Sequence, residues 1–261
     1  MLRTHMAVAA GLLVATAGLA QAESDAWSDI VADVFDGRAM QQSDIVTLET
    51  PYRAEDAATV PVTMHFAPPE DAGLRVERVT LVIDENPAPI AAVFELGADA
   101  GVSRIDTRVR VQSYTNVHLV AELSDGSLHM TETFVKASGG CSAPMGKDPE
   151  AAMANLGLMK LRQFDGANPE AQLMIRHPNN SGLQMDQLTR HYIPAHFIHS
   201  LTIAQGDAPI LKMEGGISLS EDPSVRFEFE PNGEPIAVEA QDTEGNVFSE
   251  NWPIEVGRSG T

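Results

Sequence analysis

Apolar and polar residues alternate along most of this chain, and a period of two marks strands with one face in a core. Val60-Pro61-Val62-Thr63-Met64-His65-Phe66 alternates; Val76 to Asp84 does so through Val79, Leu81 and Ile83, and Ser103 to Gln112 through Ile105, Val109 and Val111. Asn116 to Leu123 and Leu128 to Lys136 flank Ser124-Asp125-Gly126-Ser127, the pattern of a hairpin. After Glu170 a second series follows: Ala171 to His177, Phe197 to Ala204, Ala208 to Glu214, Ser224 to Glu230, Ile236 to Asp242 and Val247 to Val256, with a turn at Glu244-Gly245-Asn246. Helical spacing occurs in two short places. One is Asp25 to Phe35, with Trp27, Ile30, Val31, Val34 and Phe35 on one face. The other is Ala151 to Leu158, where Asp148-Pro149-Glu150 supplies an N-cap, a proline at the first helical position and an acidic first turn.

Many short strands with regular turns, and no helices long enough for βαβ units, predict an all-β chain built from β-sandwiches. The pattern breaks at Ser138-Gly139-Gly140-Cys141-Ser142-Ala143-Pro144-Met145-Gly146, which is small, turn-prone and without a periodic face. It reads as a flexible linker. The expected layout is one sandwich domain over 25–137, an arm and linker helix over 138–164, and a second sandwich over 165–261. The two halves share no evident repeat, so similar architecture is expected without duplication.

The first residues change the picture of where the chain works. Met1-Leu2-Arg3, the apolar and small run Ala7 to Ala20, and Ala20-Gln21-Ala22 read as a secretory signal peptide over 1–22. The run of about fourteen residues is short of the roughly twenty that cross a bilayer. Export without a membrane anchor is therefore expected, with the mature chain starting near Glu23. The balance of 37 acidic against 17 basic residues, a formal charge of −20, argues against nucleic acid as a partner.

The candidate chemistry centres on the single cysteine, Cys141. An exported chain with one cysteine closes no internal disulfide, so the thiol is buried and inert, paired with another molecule, or used. Gly139 and Gly140 before it, and Ser142 after it, describe a flexible presentation suited to a group that enters narrow sites on other proteins. Lys136 and Lys147 favour the thiolate, while Asp148 opposes it, so modest activation is expected. A catalytic cysteine wants a base in reach and an oxyanion site, and the scattered histidines nominate no dyad. No enzyme is expected.

Arg190 to His199 holds His191, His196 and His199, with His177 earlier. If that segment is a strand, His191 and His196 point to opposite faces, so structural or surface roles are expected rather than a metal site. Met153, Met159, Met174 and Met185, with Leu156, Leu158 and Leu161, are assigned to core and inter-domain packing. Glu49, Glu55 and Asp56 are read as solvated charges. No phosphate loop, Ser-His-Asp set, haem-attachment motif or paired-carboxylate motif is present, and no cofactor is expected.

Taken together, several stretches resemble the sulfur-oxidation carrier family SoxYZ, SoxY-like first and SoxZ-like second. They are Asn86-Pro87-Ala88-Pro89-Ile90-Ala91-Ala92-Val93-Phe94, Thr107-Arg108-Val109-Arg110, Thr115-Asn116-Val117, Ala121 to Ser127, and Val135-Lys136 leading to Gly139-Gly140-Cys141. In the second half they are Ile175-Arg176-His177-Pro178, Ile193-Pro194-Ala195-His196-Phe197-Ile198 and the hairpin around Thr243-Glu244-Gly245. The resemblance implies two immunoglobulin-like sandwiches packed together, with Cys141 on a swinging arm that carries sulfur intermediates between periplasmic enzymes and catalyses nothing itself. SoxY ends in Gly-Gly-Cys-Gly-Gly; here Ser142 and Ala143 stand in the last two places and the chain runs on, tethering the arm at both ends. The single-chain form more closely resembles fused SoxYZ-like carriers associated with quinoprotein (PQQ-dependent) alcohol dehydrogenase systems. Two functions follow as expectations: a covalent thiol carrier on Cys141, or a binding and assembly accessory of such a dehydrogenase.

Overall fold

The computed structural model describes residues 26–68, 73–144, 146 and 149–255; the expected signal peptide, Met145, Lys147 and Asp148 lie outside them. Two helices and fifteen strands follow one another: α1 (Ala26–Val34), β1 (Met40–Gln42), β2 (Val46–Glu49), β3 (Val60–Phe66), β4 (Val76–Ile83), β5 (Ile90–Leu96), β6 (Arg104–Val109), β7 (Thr115–Leu123), β8 (Leu128–Val135), α2 (Pro149–Ala154), β9 (Met159–Phe164), β10 (Glu170–Ile175), β11 (Ile198–Gln205), β12 (Ala208–Gly215), β13 (Ser224–Glu228), β14 (Ile236–Asp242) and β15 (Val247–Trp252). The alternation behaves as expected: in β3 Val60, Val62, Met64 and Phe66 are buried while Pro61 is exposed, and in β10 Ala171, Leu173 and Ile175 are buried. The β7–β8 hairpin closes with Gly126 N–H donating to Leu123 O (2.8 Å) and Asp125 Oδ1 accepting from Ser127 N–H (2.9 Å). No helix of the described residues is long and apolar enough to cross a membrane.

The fold is two immunoglobulin-like sandwiches, β1–β8 and β9–β15, whose sheets run through both halves. One sheet has the order β1-β8-β7-β4-β5-β12-β11-β14-β15 and the other β2-β3-β6-β13-β10-β9. At the seam β5 pairs antiparallel with β12, from Leu96 opposite Leu211 to Ala92 opposite Gly215, and β6 meets β13 at Asp106 opposite Arg226. A single apolar cluster therefore extends from Val46 and Phe94 to Phe227 and Val238. A smaller one under α1 holds Ile30, Phe35, Val82, Val120, Leu128 and Met130. Trp27 stacks on the buried His118 at 3.7 Å, and His118 in turn bridges Asp84 (2.9 Å) and Glu132 (2.7 Å).

Three features differ from the sequence expectation. Residues 159–164 form β9, paired along its length with β10, so the second sandwich begins at Met159 rather than at 165. Strand β5 alternates only weakly: Ala92 and Phe94 face the core and Glu95 is exposed, but Ala91 on the outer face is buried and Val93 half-buried. Met153 and Leu158 are half exposed (50% and 57%) rather than packed in a core, while Met159 and Leu161 do pack against it.

Candidate functional site

Strand β8 delivers the chain to Lys136, whose N–H donates to Tyr52 O (2.8 Å) and whose carbonyl accepts from Ala54 N–H (3.1 Å). From there 138–142 turns tightly against the end of β6 rather than swinging free. Gly139 N–H donates to Gln112 O (2.8 Å), Gly140 N–H to Val111 O (3.0 Å) and Ser142 N–H to Gly139 O (3.2 Å). Gln112 Oε1 accepts from Cys141 N–H (3.1 Å). Ser181, from the second half, donates its hydroxyl proton to Cys141 O.

The expected flexible arm is thus a docked turn, and the reason lies in the two glycines. Gly139 sits at φ +81°, with open space where a Cβ would go. Gly140 has no such φ, but a Cβ there would lie 2.0 Å from Ala57 O and 2.8 Å from Val111 N. One glycine serves the turn and the other serves close packing; neither is there for looseness. Ser142 is exposed, and its hydroxyl returns to Gly139 O (3.2 Å).

Cys141 is 0% exposed. Burial pushes its thiol up to about 11, and the nearby Arg110 cation recovers only part of the shift. Activation by Lys136 is not what the geometry provides: its ammonium lies 4.7 Å over the Tyr52 ring. The cation that does act on the sulfur is Arg110, 1% exposed, at the end of β6. It donates through Nη1 to Gly140 O (3.2 Å) and through Nη2 to Asn179 O (3.4 Å), tying the turn to the second half. Burial lowers its pKa, against the influence of Cys141, Glu221 and Asp56, yet a guanidinium remains a cation. Asn86 braces this arginine, donating to Arg110 O (2.7 Å) and Ser218 Oγ (2.9 Å) and accepting from Gln112 N–H (2.8 Å).

On the far side, the loop between β10 and β11 is held by a buried knot. His196 Nε2 lies 2.7 Å and His177 Nε2 3.4 Å from Asp242 Oδ2, with the imidazoles edge to face at 4.5 Å. Asp242 also accepts from Asn246 N–H (2.9 Å), Asn246 Nδ2 (2.8 Å) and Glu244 N–H (3.0 Å). Its burial works to raise its pKa, but these donors outweigh it and hold the carboxyl far below its usual range. Burial and the neighbouring His196 push His177 down to about 4.

The three donor atoms lie within 4.8 Å of one another, the spacing of a metal site. Their chemistry favours a hydrogen-bond knot instead. Asn179 N–H donates to His177 Nδ1 (3.0 Å), so the neutral ring carries its proton on Nε2 and offers no lone pair there. A structural role for His177 and His196 fits, though for another reason than strand alternation: residues 191–197 form no strand, only bridges such as Asn180 with His196. His191 and His199 are exposed.

Arg110 and Asn86 fell inside the family-like stretches but carried no visible role in sequence, whereas His177 and His196 were expected to be structural or surface residues. Gln112, Ser181 and Gln184 gave no signal, because their importance comes from loops that meet only in the fold. No histidine is among the hydrogen-bond partners of Cys141 in the described residues.

A family model described as sulfur oxidation protein SoxY matches residues 31–141, ending on the cysteine, and one described as sulphur oxidation protein SoxZ matches 159–253. No curated protein matches the chain. Among solved structures, the sulfur carrier protein SoxY from Chlorobium limicola f thiosulfatophilum aligns at 22% identity and a TM-score of 0.35, over 42% of this chain and 90% of that one. A superoxide reductase (neelaredoxin) from Ignicoccus hospitalis, E23A, aligns at 10% identity and a TM-score of 0.31, over 35% and 77%. With a SoxY part and a SoxZ part joined in one chain and sharing both sheets, the protein belongs to the SoxYZ family as a fused, SoxYZ-like member.

Proposed function

We propose that this protein is a periplasmic covalent carrier that holds sulfur or a sulfur-containing intermediate on Cys141 for partner enzymes. The observation that supports this most directly is the placement of Cys141: it ends the SoxY match and is gripped by Arg110 and Gln112 from the first half and Ser181 from the second. Loading is a thiol exchange. The thiolate attacks a partner-held sulfur, an Sγ–S bond forms as the bond to the leaving group breaks, and the electron pair departs with that group. No external oxidant is required. Because the sulfur is buried and its pKa raised, exchange proceeds from a state in which the turn has left its seat.

Intact-mass measurement of the protein isolated from its native compartment tests the carrier role. A Cys141 adduct that vanishes in Cys141→Ser supports it; a thiol that is always unmodified, with no phenotype for Cys141→Ser, excludes it.

The burial itself favours a second reading, in which the thiol is a core residue and the protein is a non-catalytic assembly accessory of a periplasmic quinoprotein dehydrogenase. Association with such an enzyme that survives Cys141→Ser supports that role. Association lost on alkylating Cys141, with the fold intact, counts against it.

A further inference from the structure

Three buried N–H donors near the Cys141 turn have no acceptor among the described residues: Arg110 Nε, Asn179 Nδ2 and Gln184 Nε2. Against them stands one unmatched acceptor, Asn180 Oδ1. Arg110 holds the turn through its side chain, Gln184 does so by way of Ser181, and Asn179 does so through its backbone. Arg110 donates to the carbonyl just before Cys141. The Asn179 backbone carbonyl accepts from the same guanidinium, while its side-chain Oδ1 accepts from Ile198 N–H (3.1 Å). Gln184 accepts through Oε1 from Ser181 N–H (2.9 Å), and the Ser181 hydroxyl donates to Cys141 O.

The three side chains are 1%, 1% and 0% exposed, and among the described residues no carboxylate pairs directly with Arg110; Glu221 and Asp56 act on it from farther away. A buried cation with carbonyls for company and spare donors beside it is short of negative charge. Uncharged donors in such a place are costly unless something accepts from them.

We propose that Arg110, Asn179 and Gln184 form an anion subsite for the group carried on Cys141, so that the turn seats firmly over a negatively charged adduct and releases a neutral one. The subsite builds on the carrier role and adds to it a device for telling cargo by charge. An anionic group at the sulfur accepts from the spare donors and compensates the guanidinium; a neutral group of equal size does neither and leaves the donors unmet. The coupling is reciprocal: whatever charge stabilises the seated turn is itself shielded from reagents by that turn. A change in the charge of the cargo then becomes the signal for the turn to open.

The full chain, labelled at Cys141 to completion with either 2-sulfonatoethyl or propyl methanethiosulfonate, carries a disulfide-linked anionic or neutral group, with methanesulfinate as leaving group. Release by a neutral phosphine reductant is followed by intact mass, and each labelled protein is melted. In the wild type the sulfonate adduct is expected to leave about tenfold more slowly and to melt at a higher temperature than the propyl adduct, since ~1.4 kcal/mol of pairing corresponds to a factor of ten. Arg110→Gln is expected to bring the two release rates within about twofold, and Gln184→Glu, which places a carboxylate among the donors, to reverse their order. Equal rates and equal melting temperatures for the two wild-type adducts overturn the subsite, and need no variant to fold. A difference that persists unchanged in Arg110→Gln and Gln184→Glu overturns it as well. None of these outcomes depends on what Cys141 carries in the cell, so failure here is separate from failure of the native-mass test.

Discussion

Two neighbouring glycines show how one residue type answers two steric demands. At Gly139 only the backbone matters: φ is +81° and nothing lies within 4 Å of the position a methyl would take, so Gly139→Ala is expected to cost about 1–2 kcal/mol and leave the thiol covered. At Gly140 the methyl would lie 2.0 Å from Ala57 O, so Gly140→Ala is expected to lift the turn and to speed alkylation of Cys141 by about tenfold or more, at a stability cost of about 1–3 kcal/mol. Denaturant midpoints and maleimide rates separate the two, and equal alkylation rates for both variants would rule out the docked turn as the gate. The sulfur adds its own pH signature. Its pKa is about 11 seated, against an ordinary value of 9.0, so the unfolded chain loses the proton first as pH rises. That contribution to stability is complete below about 9 and lost on rising through 11. Alkylation through an opened turn titrates near 9 instead, and a rate profile with its midpoint near 11 would mean reaction in the seated state. Only part of this was visible in sequence. The unusual Gly-Gly-Cys triplet identified the place, yet small residues look alike whether they serve freedom or close contact, and a long-range acceptor such as Ala57 O has no local signature.

Among the elements, the segment joining β10 to β11 has the least regular backbone around the site and depends on its knot. Asp242→Ala removes an acceptor shared by His177, His196 and Asn246 and is expected to cost about 3 kcal/mol or more. Because the same segment carries Ser181, that variant is also expected to expose Cys141 to alkylation while β11 to β14 keep their hydrogen-exchange protection. Protection lost uniformly would make the knot a general core element instead. Acid acts here with a definite sign. His177 holds its neutral form down to about 4, while the unfolded ring takes a proton near 6.5, so stability is complete above 6.5 and falls as pH drops through 4. A His177→Gln variant is expected to flatten the stability profile across that window. Sequence patterning found the strands with one wet face, β3, β10 and β14 among them, to within a residue or two. It missed β5, where small and apolar residues fill nearly every position and only Glu95 is exposed, and β1 and β2, which at three and four residues are too short to show a period. It also passed over β9, an edge strand in which no residue is fully buried.

For the molecule as a whole, the seam decides how the halves respond to stress. Neighbouring domains with a small polar interface unfold separately, but here both sheets and the apolar cluster are continuous. Phe94, 0% exposed on β5, faces Val79 and Met213 in register on either side. Phe94→Ala is expected to cost about 3–5 kcal/mol and to lower one shared calorimetric transition rather than split off the first half. Two resolved transitions in the wild type would refute the shared core. The sandwich class could be read from the chain because it follows from local alternation; the seam could not, because pairing between β5 and β12 is a property of register across more than a hundred residues. The anchored turn, finally, sets a geometric condition on any enzyme that meets it. Ala137 is buried at 6% exposure, and the four residues from Ser138 to Cys141, even fully drawn out, span about 13–14 Å. An enzyme that uses this thiol must therefore hold its reacting atom within about that depth of its own outer surface, in a mouth wide enough to admit two strands of backbone side by side.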